Sequence, residues 1–383
     1  MLRWVVLGAL MWLGACAPLG SLPAPEMGPF AESGMPRLLW TRALETSLAR
    51  APQIVGETVY LAGKDGRVIA LSAENGSLIW EAHSEGRLWD LSLTATETAI
   101  YVGSQGGRLL SLDPSDGSLR WERTLGVEVT FPPVASGPIL LVPTAFVGTD
   151  IEPDFQGRAE LFALDAESGE TLWQFTSGSY LLSSPVPDPG EGLVYAAGPF
   201  LPVTEDDEEG GHTRLYALRL YGGALMWEAE VAAGVPKNLT LDSGVLSLMG
   251  YRDAVLGLDA IDGSFLWEFE TGNWVESFST ANGLTFFGSA TSTVFAVAVT
   301  TGREMWRHQL EGLFNYIIGG PDLEGARLYF ITTHSQIVAL DAATGQEAWS
   351  METEILARAP LVVDEGRLFV AAADGRVYAF AIP

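Results

Sequence analysis

Cysteine is almost absent from this 383-residue chain: Cys16 is the only one. No disulfide can form within a monomer, and no cysteine cluster can hold a metal. Histidine is nearly as scarce. The four residues, His83, His212, His308 and His334, are far apart, and none has a partner at metal-ligand spacing. They read as solvated loop positions. No Gly-x-Ser-x-Gly elbow and no phosphate-binding glycine loop occurs. Basic residues are few, 21 against 48 carboxylates, for a formal net charge of −27. That field repels phosphate backbones, which argues against nucleic acid as a partner, and it disfavours flat adsorption on anionic lipid. It keeps a rigid body soluble and monomeric, and it favours basic partners.

A run long enough to span a membrane, about 20 apolar residues, is also lacking. The short run from Trp4 to Leu13 follows Arg3 and ends in Leu13-Gly14-Ala15-Cys16. This resembles the lipobox of bacterial lipoproteins, which implies that residues 1–15 are a signal peptide and that Cys16 is the lipidated mature N-terminus. Residues 16–35 are rich in proline and have no clear period, as expected of a flexible tether. The residue after the anchor is Ala17 rather than aspartate. By the family rule this implies the outer membrane, with the protein on its periplasmic face.

What the chain has in abundance is a repeat. Seven segments align without gaps over eleven positions: 70–80, 111–121, 163–173, 217–227, 257–267, 296–306 and 339–349. Every copy has glycine at its seventh position and tryptophan at its eleventh. Successive tryptophans are 41, 52, 54, 40, 39 and 43 residues apart. Each copy reads as an apolar, β-prone strand such as Arg67–Leu71, a polar turn closed by glycine, and a strand carrying the tryptophan. Upstream lies another strand, Thr58–Ala62, joined by a turn containing Asp65-Gly66, a strong hairpin signal. A short run, Ala51 to Val55, precedes it. Four strands in about 40 residues make one propeller blade.

The ends complete the count. Trp40 lies 40 residues before Trp80 without a preceding motif strand, whereas Arg376–Ala381 matches the motif's first strand and has no successor. The N-terminal segment therefore supplies the last outer strand. The reading is all-β: one eight-bladed β-propeller over residues 36–383, closed by the N-terminal strand so that no sheet edge is left at the join. The pentapeptide Leu-Ala-Arg-Ala-Pro at 48–52 and again at 356–360 opens blades 1 and 8, which are neighbours only in a closed ring. Trp40, Trp80, Trp121, Trp173, Trp227, Trp267, Trp306 and Trp349 are expected to fill the gaps between blades.

The pattern Ala-x-Asp-x-x-x-Gly-x-x-x-Trp resembles the repeat of pyrroloquinoline-quinone-type propellers. Asp113, Asp165, Asp259 and Asp341 match its aspartate, and Ser72, Arg219 and Ala298 do not. Two branches share the repeat. The dehydrogenase branch pairs vicinal cysteines on its quinone, which is impossible here. The chain is more similar to the BamB family of β-barrel assembly lipoproteins, in its signal segment, its single ring and its lack of a further domain. That resemblance implies a non-catalytic scaffold without cofactor or metal, holding envelope proteins such as the β-barrel assembly machinery and touching membrane only through its anchor. The alternative is a quinone- or sugar-binding propeller, enzymatic or sensory.

Aromatic residues recur where each outer strand crosses to the next blade: Trp89, Phe131, Tyr180, Trp274, Phe314 and Tyr316. Arg50 and Arg358 sit at the crossings into blades 1 and 8. Aromatic and arginine side chains are favoured interface anchors, so these positions mark a candidate binding rim around one mouth of the channel. The BamB resemblance adds Leu181 and Leu182, within Ser179–Pro185, although the arginine of that family's docking segment is missing. Two insertions, 144–155 and 199–212, are expected to emerge at second hairpins. The acidic stretch 204–210 reads as a solvated charge run or a calcium loop, without the alternating spacing of an EF-hand.

Overall fold

A computed structural model of the chain describes residues 34–48, 50–84, 93–104, 106–129, 131–145, 159–179, 181–200, 212–232, 238–249 and 253–383. Cys16, Trp89, Tyr180 and the 204–210 stretch lie outside the described residues. Among the described residues the strands form eight four-stranded antiparallel sheets, the blades of an eight-bladed β-propeller. Blade 1 contains Gln53–Val55, Thr58–Ala62, Arg67–Ser72 and Leu78–His83, paired in that order. First strands of successive blades touch one another at six of the eight junctions, among them the one between blades 8 and 1, which places them around the channel. The insertions fall where expected, between the second and third strands of blades 3 and 4.

Blade 8 joins both ends of the chain. Val362–Asp364, Arg367–Ala371 and Arg376–Ala381 supply three strands, and Arg37–Ala43 pairs outside them. In blade 1, Ala70 faces Trp80 and Leu71 faces Leu78, so the outer strand bulges by one residue. In blade 8, Ala379 faces Trp40 and Phe380 faces Leu38, the same bulge made by a strand from the other end of the chain. Across the closure Arg367 donates to Glu57, 2.7 Å away and 310 residues distant in sequence.

The core explains why the motif strands are uniformly apolar rather than alternating. Both faces of a blade are covered, so middle strands such as Val59–Leu61 and Val68–Leu71 are buried throughout. Eight core clusters form, each shared by two successive blades. Trp40, Val377 and Phe369 of blade 8 pack with Val59, Leu61 and Ile69 of blade 1. No blade owns a core, so stability accrues at interfaces and the closure completes the last one.

The tryptophans tie one blade to the next. Trp80 Nε1 donates to Pro114 O at 2.8 Å, Trp173 Nε1 to Leu220 O at 2.9 Å and Trp306 Nε1 to Ala342 O at 2.9 Å, each in the turn before the following outer strand. Trp40 makes the same bond to Ala73 O across the closure, 2.9 Å. The motif glycine lies under the preceding blade's indole. A Cβ on Gly76 would fall 2.6 Å from Trp40 Cε3, and one on Gly345 2.5 Å from Trp306 Cε3. Sequence reasoning had found only the turn requirement, met by φ of 70° and 69°. The exception is Trp349, whose buried Nε1 has no acceptor among the described residues. The third and outer strands of blade 8 come from opposite ends of the chain, so no hairpin turn offers a carbonyl there. Met35, Leu38 and Ile382 pack on that cluster instead.

The motif aspartate caps the same turn. Asp113 accepts from Ser115 N at 2.9 Å, and Asp341 from Thr344 N at 2.9 Å. These bonds favour the ionised form and hold both carboxyls below the usual range, with the hydroxyls of Ser115 and Thr344 contributing most. Blade 1 has Ser72 at this position and keeps the turn's second cap, in which Asn75 Oδ1 accepts from Ser77 N at 2.9 Å as Asp116 Oδ1 does from Ser118 N in blade 2.

Candidate docking face

Among the described residues, the crossings into blades 1, 3, 6, 7 and 8 are pinned to the second hairpin of the blade they enter, so crossings and hairpins share one face. Lys64 N donates to Ser47 O, Thr333 N to Tyr316 O and Ala373 N to Leu356 O. The chain enters its first strand on the opposite face, where Arg37 pairs with Ala381. The repeated pentapeptide occupies neighbouring crossings, one residue out of register: Leu48 bridges Gly63, whereas Ala357, not Leu356, bridges Ala372.

An apolar arc runs along the crossings into blades 6, 7 and 8. Trp274 is 62% exposed, Leu313 84%, Phe314 75% and Leu356 68%. Trp274 and Tyr316 line a cleft of about 170 Å³ floored by Gly288, Ser289 and Ala290. The loop behind Phe314 is pinned by hydrogen bonds. Asn315 is fully buried: its N–H donates to Ser292 Oγ at 2.9 Å, and its Nδ2 donates to Glu311 O at 2.8 Å and to Gln336 Oε1 at 3.0 Å. Phe314 itself stands at φ 58°, a strained value for a bulky residue, with its ring in solvent. Leu313 carries no periodic signal in the sequence, and Leu356 entered it only as the first residue of the repeated pentapeptide, so neither was anticipated as an exposed anchor.

The structure brings Arg50 and Arg358 together. Both are exposed and, with Lys64, line a cleft of about 210 Å³ where blades 8 and 1 meet. Phe131 is half-buried on the far side of the ring, away from the arc. The histidines stay apart: His83 lies 3.3 Å from Glu81, His212 3.5 Å from Glu230 and His308 3.8 Å from Glu347. Among the described residues no group of three or more His, Cys, Asp or Glu could hold a metal ion.

A family model described as outer membrane protein assembly factor BamB matches residues 31–130, 157–286 and 290–382. The chain belongs to the BamB family. It is 27% identical over 349 residues to the outer membrane protein assembly factor BamB of Burkholderia pseudomallei, covering 86% of this chain and 83% of that one. The similarity to the Yersinia pestis BamB, 24% identical, spans 57% of this chain and 58% of that protein. The crystal structure of BamB from Moraxella catarrhalis superposes with a TM-score of 0.65 at 20% identity, covering 91% of this chain and 98% of that one. The quinohemoprotein alcohol dehydrogenase of Comamonas testosteroni shares the fold, with a TM-score of 0.67 at 15% identity over 91% of this chain and 76% of that one.

Against the BamB pattern, Ser179–Pro185 is split by burial. Leu181 is half-buried and bridges Ala145, whereas Leu182 has no exposed surface and belongs to the core between blades 3 and 4. Only Leu181 of the pair is accessible to a partner. A second set of exposed apolar residues, Tyr221, Leu225, Met226, Ile261, Phe265 and Leu266, lies on blades 4 and 5 beside the turns of the opposite face.

Proposed function

We propose that this chain is a non-catalytic lipoprotein scaffold that serves outer-membrane β-barrel assembly by holding an assembly protein against its crossing face. The observation that carries the reading is the exposed arc Trp274, Leu313, Phe314 and Leu356 on a ring of the BamB family. Leaving such side chains in water forgoes about 1.5–3 kcal/mol each, which a partner recovers by covering them. Aromatic anchors beside a preformed cleft suit a protein surface, and the Asn315 network holds Phe314 ready without an ordering cost on binding.

In this reading residues 1–15 direct export, Cys16 carries the lipid and residues 16–35 form the tether, with the protein on the periplasmic face of the outer membrane. Replacing Cys16 by serine then releases the protein from the membrane fraction. The main test is affinity purification from detergent-solubilised membranes. The native protein should recover β-barrel assembly proteins, and the Trp274→Ala, Phe314→Ala double variant should recover about tenfold less or lower still. Equal recovery would remove the arc from the account. Titration with pyrroloquinoline quinone and calcium separates the enzymatic alternative, which requires saturable binding near the channel.

A further inference from the structure

The cleft at the ring closure is built from cations in a strongly acidic protein. Arg50 comes from the crossing into blade 1, Lys64 from the second hairpin of blade 1 and Arg358 from the crossing into blade 8. The other lining residues are Ser47, Leu48, Ala359 and Ala371–Ala373, so among the described residues no carboxylate lines it. The alanines leave the space that the three long side chains surround. Main-chain bonds from Lys64 N to Ser47 O and from Ala373 N to Leu356 O fix the walls. Arg50 and Lys64 also make contacts within the chain.

We infer that this cleft binds a carboxylate side chain of an acidic, extended segment of a protein partner. Guanidinium groups bind carboxylates through paired, charge-assisted hydrogen bonds, and an ammonium adds a third donor group. A volume of about 210 Å³ admits a carboxylate with its methylene stem. In a chain of net charge −27 a pocket of this sign is a local exception, and it selects an anion that the rest of the surface repels. Phosphate shares the same charge, but two features favour a peptide. Leu356, two residues from Arg358, offers an exposed apolar neighbour for the next side chain. The cleft also opens on the crossing face, opposite the face where the chain enters from its N-terminus.

This inference rests on reading the crossing face as a docking surface, and its test is made apart from the cell. A fluorescein-labelled peptide alternating glutamate and leucine is titrated into the full-length protein in detergent. The expected result is saturable binding weakened about tenfold or more when glutamine replaces glutamate, and by a similar factor in the Arg50→Glu, Arg358→Glu variant. Ala373→Glu, which places a carboxylate in the cleft, should do the same, while Arg42→Glu on the outer strand of blade 8 should leave binding unchanged. Equal binding of the glutamine peptide, or indifference to both cleft variants, overturns the proposal. Displacement by inorganic phosphate or phosphatidylglycerol vesicles in preference to free glutamate peptide also overturns it, and makes the cleft a phosphate site. Failure here with retained Trp274-dependent recovery of assembly proteins refutes the cleft alone; loss of that recovery refutes the docking face.

Discussion

Two glycines of blade 7 separate the turn from the blade contact. Gly345 and Gly325 both stand in the left-handed region, at φ 69° and 60°. A Cβ on Gly325 would meet nothing within 4 Å, whereas one on Gly345 would lie 2.5 Å from Trp306 Cε3. Gly325→Ala therefore carries only the backbone term, about 1–2 kcal/mol. Gly345→Ala carries the same term and must also push the Trp306 indole off its seat. Trp306 is nearly buried and its Nε1 is bonded to Ala342 O, so the ring has no free direction to move. Overpacking of this kind adds about 1–3 kcal/mol. Urea unfolding followed by tryptophan fluorescence and by far-ultraviolet circular dichroism should show a midpoint two- to threefold further displaced in Gly345→Ala, by about that ratio of energies. The Gly345→Ala spectrum should also shift before unfolding begins. Equal displacement of the two midpoints would refute the claim that the motif glycine is the seat of the preceding blade's tryptophan.

Trp306→Phe and Trp349→Phe should differ by about 1 kcal/mol in urea denaturation, Trp306→Phe being the more destabilising, because only Trp306 loses an N–H···O bond. Phe314→Gly should gain about 1 kcal/mol of thermal stability by relieving φ 58°, while weakening partner recovery; loss of stability would contradict the strain assignment. Burial raises the Asp322 carboxyl above its ordinary value of 3.8, aided by Glu324 and Asp364, and against bonds from Val363 N and Leu323 N. The folded form thus holds its proton more tightly than the unfolded chain, a contribution present at low pH and lost as pH rises from about 4 through the folded value. The melting temperature of Asp322→Asn relative to the native protein should accordingly rise between pH 4 and pH 7, and a flat difference would contradict it.

The ring itself was legible because its determinants recur. A tryptophan every 40 or so residues and a glycine four positions before it are read by eye, and the unmatched Trp40 and Arg376–Ala381 reveal the closure. What escaped was the pairing between copies. Gly345 needs its freedom partly because of Trp306, which belongs to the previous copy, and no alignment within one copy shows that. The small residue opening each motif, such as Ala70 or Gly257, is likewise set by the tryptophan facing it across the bulge. Identity of sequence also misled by one residue: the two pentapeptides look equivalent, yet the bridges at Leu48 and Ala357 show a slip. On the docking face, topology placed Trp274, Phe314 and Tyr316 correctly on crossings. Leu313 and the buried Asn315 had no pattern to betray them, and the pentapeptide repeat did not reveal the exposure of Leu356, since loop positions are fixed by tertiary contacts. Leu182 looked like a surface anchor and is core, because burial at a crossing depends on the neighbouring hairpin.

A photo-reactive amino acid placed singly at Trp274, Phe314 and Ile261 of the protein, followed by irradiation of intact cells, tests the proposed docking face most directly. Trp274 and Phe314 lie on the crossing face, and Ile261, 80% exposed, lies on the opposite one. The account predicts adducts with a β-barrel assembly protein from the first two positions and none from Ile261. Adducts from Ile261 with none from Trp274 or Phe314 would contradict it.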